Sequence, residues 1–183
     1  YKHFTHEGGI ASPAVFHWPA GIPAERNGQF ERQPAHVIDL MATAVDLAGA
    51  EYPTAVNNVE IQPMEGVSLR PALLGEAIER AQPLFWEHEG NRAVRDGKWK
   101  IVSKYKEPWE LYDIEADRTE LRDLAAEHPE LLERMKAQYD EWAAARNVEP
   151  WTGPIRADSG NPATPAPKKN ASPSPAAEAE AEE

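Results

Sequence analysis

The stretch LFWEHEGNRAVRDGKWKIVSKYKEPWELY, residues 84–112, alternates short aromatic and β-branched runs with turn-forming residues. The runs are residues 84–88, 92–95, 99–104 and 109–112, and the breaks between them are Glu89-Gly90-Asn91, Asp96-Gly97 and Lys106-Glu107-Pro108. Asp-Gly between two such runs is a strong hairpin signal, because the tight turns that join antiparallel strands need a positive φ. The segment therefore predicts an antiparallel meander of three or four strands.

Two helical patterns follow this meander. Asp117 and Glu120 have the spacing of a capping box, which predicts a short helix that starts there. A longer helix is predicted after Pro129, with an apolar stripe formed by Leu131, Leu132, Met135, Tyr139, Trp142 and Ala143. Such a stripe would lie across one face of the sheet, so residues 84–150 are interpreted as an α+β unit.

The first half of the chain contains one helix pattern and one strand pattern. Apolar residues between positions 37 and 48 recur every three or four residues, and Gly49 suits a left-handed helix end. Gly8-Gly9 predicts a sharp turn that leads into the apolar run of residues 10–18 as a buried strand. Residues 50–83 are expected to be connecting loops, with one short helical turn near residues 69–74.

The composition limits the possible partners. The chain has 183 residues, 31 Asp and Glu against 19 Lys and Arg, a formal net charge of -12 and no cysteine. This acidic balance argues against nucleic acid as a partner, because phosphates are bound by clustered Lys and Arg. Disulfides are excluded, and no apolar run is long enough for a membrane span. The tail beyond Trp151 is rich in Ala, Pro and Glu and is expected to be disordered, with a tether or partner-binding role as the alternative.

Lys2 is a candidate anion-binding residue. It lies shortly before Glu7-Gly8-Gly9, and a lysine at the mouth of a turn can offer an anion a compact charge with three donors. From the residues alone, the ordinary alternative is a solvated surface lysine.

The wider pattern resembles the sulfatase family, in which a lysine precedes Glu-Gly-Gly and a Trp-Pro-Gly-like turn follows. Here Lys2 precedes Glu7-Gly8-Gly9, and Trp18-Pro19-Ala20-Gly21 comes after it. Residues 36–49, 66–75, 86–100 and 109–113 resemble later segments of the same family, in the same order. The resemblance covers residues 1 to about 150.

This resemblance implies a fold. It is α/β with an α+β C-terminal subdomain: the end of an alkaline-phosphatase-like sheet, followed by a small antiparallel sheet packed by a C-terminal helix. Residues 1–83 would be the C-terminal end of the catalytic domain, residues 84–150 the antiparallel subdomain with its helix, and residues 151–183 the disordered tail.

The resemblance also implies hydrolysis of a sulfate ester by an arylsulfatase-like enzyme with calcium and formylglycine as cofactors. Formylglycine is made from Cys or Ser in a Cys/Ser-x-Pro-x-Arg motif, and neither this motif nor an Asp-Asp or Asp-Asn pair of the kind expected for the metal occurs in the sequence. The nucleophile and the metal ligands are therefore expected from a missing upstream catalytic segment, and this chain alone is expected to be inactive. A periplasmic or secreted location would require a signal peptide in that upstream part.

Candidate site residues follow from the same resemblance. Lys2 would contact a sulfate oxygen, and His6 would line the wall of the pocket. His88 lies at a turn between two predicted strands, where it could approach the organic part of the substrate; a polar hairpin tip is the alternative. His3 and His6 could form half a metal site, but no third ligand is evident, so no metal ligand is assigned. Glu7 is expected to be structural.

Three functions are compatible with this pattern. The first is the C-terminal fragment of an arylsulfatase-like sulfuric ester hydrolase. The second is a non-catalytic binding or interaction module of the same fold. The third is a related phosphatase or phosphonate hydrolase, because the fold does not determine which ester is cleaved.

Overall fold

The structure is a computed structural model that describes residues 3–154. The predictions for Lys2 and for the tail from residue 155 lie outside the described residues. The helices are α1 (Glu7–Ile10), α2 (Asp39–Leu47), α3 (Arg70–Leu74) and α4 (Pro129–Ala145), with a 3-10 helix at Ala24–Arg26. The strands are β1 (Ala55–Val56), β2 (Val59–Glu60), β3 (Leu84–His88), β4 (Asn91–Asp96), β5 (Trp99–Ser103) and β6 (Glu110–Asp113). Between residues 3 and 154, no helix combines the length and the apolar character needed to cross a bilayer.

Strands β3 to β6 form a four-stranded antiparallel sheet in sequence order. This confirms the predicted meander. The first hairpin turns through Glu89 and Gly90, whose φ angles are 52° and 81°. Both values are positive, as a type I′ turn requires. The second hairpin turns at Gly97, with a φ of 57°.

Helix α4 covers one face of this sheet. The buried core between them consists of Val94, Ile101, Leu111, Met135 and Tyr139. The ring of Phe85 on β3 stacks on Trp142 of the helix, with centroids 5.1 Å apart. The apolar stripe predicted for the helix is therefore confirmed, and the main core lies between α4 and the sheet.

The opposite face of the sheet is also buried. Ala93, Val102 and Tyr112 lie on it with Ile114, and Trp86 packs against them. Residues from the N-terminal segment cover part of this face. Lys100, which projects from this face, is consequently enclosed, whereas Glu110 stays partly exposed.

The strand expected at residues 10–18 does not form in the described structure. Residues 7–10 make one helical turn, and residues 11–20 are exposed without regular secondary structure. A strand needs partners for its N–H and C=O groups, and no described segment pairs with this one. Gly8 and Gly9 have no positive φ, because they lie in the helical turn. The prediction of a sharp glycine turn was wrong.

The short helix expected at residues 117–120 is also absent. The Asp117 carboxylate accepts hydrogen bonds from the N–H groups of Leu121 at 2.7 Å and Arg122 at 2.9 Å, which stabilises a turn. Glu120 has a φ of 56°, and its carboxylate contacts Lys100. The Glu120 carboxylate pairs with the buried Lys100 ammonium instead of reaching back to a local N–H, so the tertiary contact overrides the local pattern.

Helix α2 confirms the pattern found at residues 37–48, and Gly49 ends it with a φ of 60°. Its first residue, Asp39, is fully buried and accepts hydrogen bonds from Arg80 Nη2 at 2.6 Å and from the Val67 N–H at 3.0 Å. Gly66 packs against the backbone of Ile38, where a Cβ would overlap the carbonyl oxygen. These contacts hold α2 against residues 66–80.

A small hairpin, β1–β2, lies within the region expected to be loops. Asn57 and Asn58 form its turn, with φ angles of 51° and 63°. Asparagine tolerates this left-handed backbone, so the Asn-Asn pair was a usable hairpin signal.

Candidate functional site

The segment of residues 3–10 lies on the face of the sheet that α4 does not cover. The Thr5 hydroxyl donates to the Arg92 carbonyl of β4 at 3.0 Å. Glu7 contacts Lys100 of β5, and His6 contacts Glu110 of β6. One contact to each of three neighbouring strands fixes the segment across the sheet.

Lys100 is the centre of this attachment. Its side chain is fully buried, and its Nζ lies 2.8 Å from a carboxylate oxygen of Glu7 and 2.8 Å from one of Glu120. A buried charge is tolerated only when it is paired, and here two carboxylates surround one ammonium. The cluster joins the Glu7 turn, strand β5 and the loop after β6.

Glu120 has a second role in the same cluster. Its other carboxylate oxygen accepts the backbone N–H of Glu7 at 2.7 Å, at the start of helix α1. That N–H has no partner inside the helix, and a negative charge is favourable at a helix N-terminus. The cluster therefore also explains why residues 7–10 form a helical turn.

His6 pairs with Glu110. His6 Nε2 lies 2.8 Å from a carboxylate oxygen of Glu110, and both side chains are partly exposed. The hydrogen bond from His6 lowers the pKa of the Glu110 carboxyl below its ordinary value, against the opposing effect of burial. Burial and the neighbouring Glu110 raise the pKa of the Tyr112 hydroxyl.

An open depression borders this pair. Its lining includes His6, Gly8, Gly9, Lys104, Glu110 and Tyr112. It combines imidazole, ammonium, carboxylate and phenol groups beside the residues that follow Lys2 in the sequence. Such a lining suits a polar, hydrogen-bonding ligand.

His88 lies at the tip of the β3–β4 hairpin and meets a different residue. Its ring stacks on His3, with centroids 5.5 Å apart, and its Nε2 lies 3.3 Å from His3 Nδ1. Glu89 is the third member, with a carboxylate oxygen 3.4 Å from His3 Nδ1. His3 therefore associates with His88 and Glu89, whereas His6 associates with Glu110.

The comparison with protein families decides the identity. The family model described as N-sulphoglucosamine sulphohydrolase, C-terminal, matches residues 1–145. The chain belongs to the sulfatase family. It is the C-terminal portion of that family's alkaline-phosphatase-like fold, as the sequence resemblance implied.

Individual relatives agree with this assignment. An uncharacterised sulfatase of Schizosaccharomyces pombe is 30% identical over 145 residues, covering 73% of this chain and 25% of that protein. The choline-sulfatase of Rhizobium meliloti is 37% identical over 132 residues, covering 68% of this chain and 23% of that protein. This sulfatase chain thus spans about a quarter of the length of the curated relatives it matches.

A solved structure supports the same fold assignment. The crystal structure of Ps i-CgsB superimposes with a TM-score of 0.56 and 29% sequence identity, covering 69% of this chain and 27% of that one. The same protein has been solved in complex with k-i-k-neocarrahexaose.

The residues of this sulfatase chain do not fit the family's calcium and formylglycine. Calcium prefers a shell of about six to eight oxygen ligands. Among residues 3–154, the group of three metal-ligand side chains that converge is His3, His88 and Glu89, which is mainly imidazole. The sequence also has no cysteine and no Ser-x-Pro-x-Arg to become formylglycine.

Sequence reasoning missed Lys100, Glu110 and Glu120. Lys100 lies between Trp99 and Ile101 in a strand, and alternation there is typical of a sheet face open to water. The face is closed by residues 3–10, which are distant in sequence. No local signal marks the lysine as buried.

The contact between His6 and Glu110 predicts how the Glu110 carboxyl titrates. A carboxyl whose pKa is lowered on folding contributes stability above its ordinary pKa, and this contribution is lost as the pH falls through the lowered value. We expect His6→Ala to raise the pKa of Glu110 toward its ordinary value, measured by NMR of the carboxyl carbon. His17→Ala, at an exposed position, is the control. An unchanged Glu110 titration in His6→Ala would show that other neighbours set its pKa.

Proposed function

We propose that this chain is the C-terminal part of an arylsulfatase-like sulfuric ester hydrolase. In this proposal Lys2 contacts a sulfate oxygen, while His6 and His88 face the substrate. The nucleophile and calcium ligands come from an upstream catalytic segment that this sequence does not contain, so the chain alone is inactive.

The attachment of the Glu7 turn to the sheet is the observation that carries the proposal. Lys100, fully buried between Glu7 and Glu120, joins the motif that follows Lys2 to the C-terminal sheet. A group that binds a substrate anion must be held in a fixed position, and rigid elements hold it better than a free loop does. The buried ion cluster provides such an anchor close to Lys2 in the sequence.

Exposed apolar side chains in the first half of the chain support the proposal that a further segment packs against it. Val15 is 94% exposed, Phe30 87%, Val37 71% and Met41 58%. These residues lie in the half of the chain assigned to the end of the catalytic domain. Apolar side chains are buried where another segment packs on them. The curated relatives, about four times as long as the matched region, have the chain length to cover them.

The first test concerns the isolated chain. We expect no hydrolysis of 4-nitrophenyl sulfate above the buffer background, with or without Ca²⁺, because the sequence contains no Cys/Ser-x-Pro-x-Arg motif from which formylglycine is made. Aryl phosphate and phosphonate esters are assayed in parallel. Turnover of a sulfate ester that disappears in Lys2→Ala would contradict the need for an upstream segment, and phosphate turnover would favour the phosphatase alternative.

The second test asks whether the coding sequence continues upstream of Tyr1. The coding DNA upstream of Tyr1 is read first, and an in-frame extension with Cys/Ser-x-Pro-x-Arg and acidic metal ligands is the expected result. A stop codon followed by a genuine start near Tyr1 would instead favour the non-catalytic module.

In the complete enzyme, Lys2→Ala should lower kcat/KM for a sulfate ester by about tenfold to a hundredfold, because one charge-assisted contact is lost. Lys136→Ala is the matched control, since this lysine pairs with Glu133 on the outer surface of α4. Steady-state kinetics measure both. An unchanged rate in Lys2→Ala would place Lys2 outside the sulfate site.

A further inference from the structure

The cluster of His3, His88 and Glu89 joins two parts of the chain that are far apart in sequence. His3 belongs to the N-terminal segment, and His88 and Glu89 form the tip of the β3–β4 hairpin. One ligand atom from each residue lies within 4.8 Å of the others. The sequence pairing of His3 with His6 did not identify this group.

The distances within the cluster match those around a small tetrahedral cation. With metal–ligand bonds of about 2.0–2.1 Å, tetrahedral geometry separates the ligand atoms by about 3.3–3.4 Å. His3 Nδ1 lies 3.3 Å from His88 Nε2. The same Nδ1 lies 3.4 Å from a carboxylate oxygen of Glu89. Two edges of the coordination polyhedron are therefore already in place.

The geometry points to a site for a zinc-class divalent cation held by His3 Nδ1, His88 Nε2 and the Glu89 carboxylate. Two imidazoles with one carboxylate are a known zinc-ligand set, and such three-residue sites leave the fourth position to water or substrate. The donor set is unsuited to calcium, which prefers oxygen ligands. The donor set of this site does not depend on the proposed function.

Neighbouring contacts hold the ligands in position. The Asn91 side-chain amide donates to the carbonyl of His3 at 2.9 Å and to the carbonyl of His88 at 2.9 Å. The N–H of Gly90 donates to the Glu87 carboxylate at 2.8 Å, which orders the turn that bears Glu89. These contacts fix the backbone from which the three ligand side chains extend.

A bound ion would connect the N-terminal segment to the hairpin tip. His3 follows Lys2 directly, so the ion would restrict the backbone next to the proposed sulfate-contacting lysine. In the metal-free chain the two ring nitrogens lie 3.3 Å apart, and the tautomers of the two rings decide which one donates.

The experiment titrates the full chain with Zn²⁺ by calorimetry at mildly alkaline pH, because metal ions bind ligands in their deprotonated form. We expect one ion per chain, and no loss of binding in excess Ca²⁺. The variants His3→Ala, His88→Ala and Glu89→Gln should each weaken binding by about a hundredfold or more, since even outer partners of a metal site contribute about ten- to a hundredfold. His17→Ala, at an exposed position outside the cluster, should bind as the original chain does.

A second readout uses the unaltered chain, so that a misfolded variant does not decide the result. Zn²⁺ should shift the NMR signals of the His3 and His88 rings and leave those of His17 and His128 in place. Co²⁺ should give the visible absorption bands of a tetrahedral site. The proposal is overturned by the absence of these shifts, by equal affinity in His88→Ala and the original chain, or by displacement of Zn²⁺ by Ca²⁺. None of these readouts requires sulfate hydrolysis, so failure of this site and failure of the proposed function are distinguishable.

Discussion

Replacing Lys100 with alanine should lower the free energy of unfolding by about 3–5 kcal/mol, the usual cost of removing one partner of a buried ion pair. Lys100 is fully buried, while Glu7 and Glu120 are 11% and 4% exposed at their side chains. Without the ammonium group, two carboxylates would remain close together and largely shielded from water. Burying an unpaired charge is costly, so the N-terminal segment should separate from the sheet.

Urea unfolding followed by circular dichroism measures this loss. Lys136→Ala is the matched control, because its Nζ lies 2.8 Å from a Glu133 oxygen on the exposed side of α4, and such surface pairs contribute about 0–1 kcal/mol. A triple variant, Lys100→Met with Glu7→Gln and Glu120→Gln, should recover much of the loss, since it removes all three charges together. A loss below about 1 kcal/mol in Lys100→Ala would show that water reaches the cluster.

Replacing Met135 with alanine should lower the free energy of unfolding by about 2–5 kcal/mol. Met135 is fully buried in α4, packed with Val94, Ile101 and Leu111 of the sheet. The truncation removes apolar contacts and leaves a cavity at the centre of the core between the helix and the sheet, while Tyr139 and Trp142 keep their contacts. We therefore expect the packing of α4 on the sheet to weaken.

The matched control is Met41→Ala, because Met41 on α2 is 58% exposed. The isolated chain should tolerate this change within about 0.5 kcal/mol. In the complete enzyme the same substitution should cost more, since the proposed upstream segment would cover α2. A similar loss for both methionines in the isolated chain would contradict the assignment of the core.

Local patterns in the sequence were sufficient for the C-terminal sheet and for α4. The hairpins at Glu89-Gly90 and Gly97 depend on backbone angles that few residues adopt, and the stripe on α4 depends on helical spacing. Both signals lie within a few residues of the elements they specify, so they can be read without the tertiary structure.

Local patterns failed where a distant partner decides the conformation. Residues 10–18 look like a strand by composition, but a strand forms only beside another strand, and none of the described segments is available. Residues 117–120 look like a helix start, but Glu120 turns toward Lys100. In each case the deciding contact, or its absence, involves residues far away in the sequence.

For the candidate site too, the sequence indicated some residues and only the structure showed the others. The sequence by itself determined the sulfatase family and the meander with its helix, because the order and spacing of motifs are properties of the chain. It also singled out Lys2, His6 and His88 as candidate site residues. Only the tertiary structure showed that Lys100 is buried between Glu7 and Glu120, that His6 pairs with Glu110, and that His3 meets His88 and Glu89. Folding brings His3 to His88 across 85 positions of sequence and Glu7 to Glu120 across 113. Ion pairing and metal coordination act only over a few ångströms, so local sequence patterns do not show them.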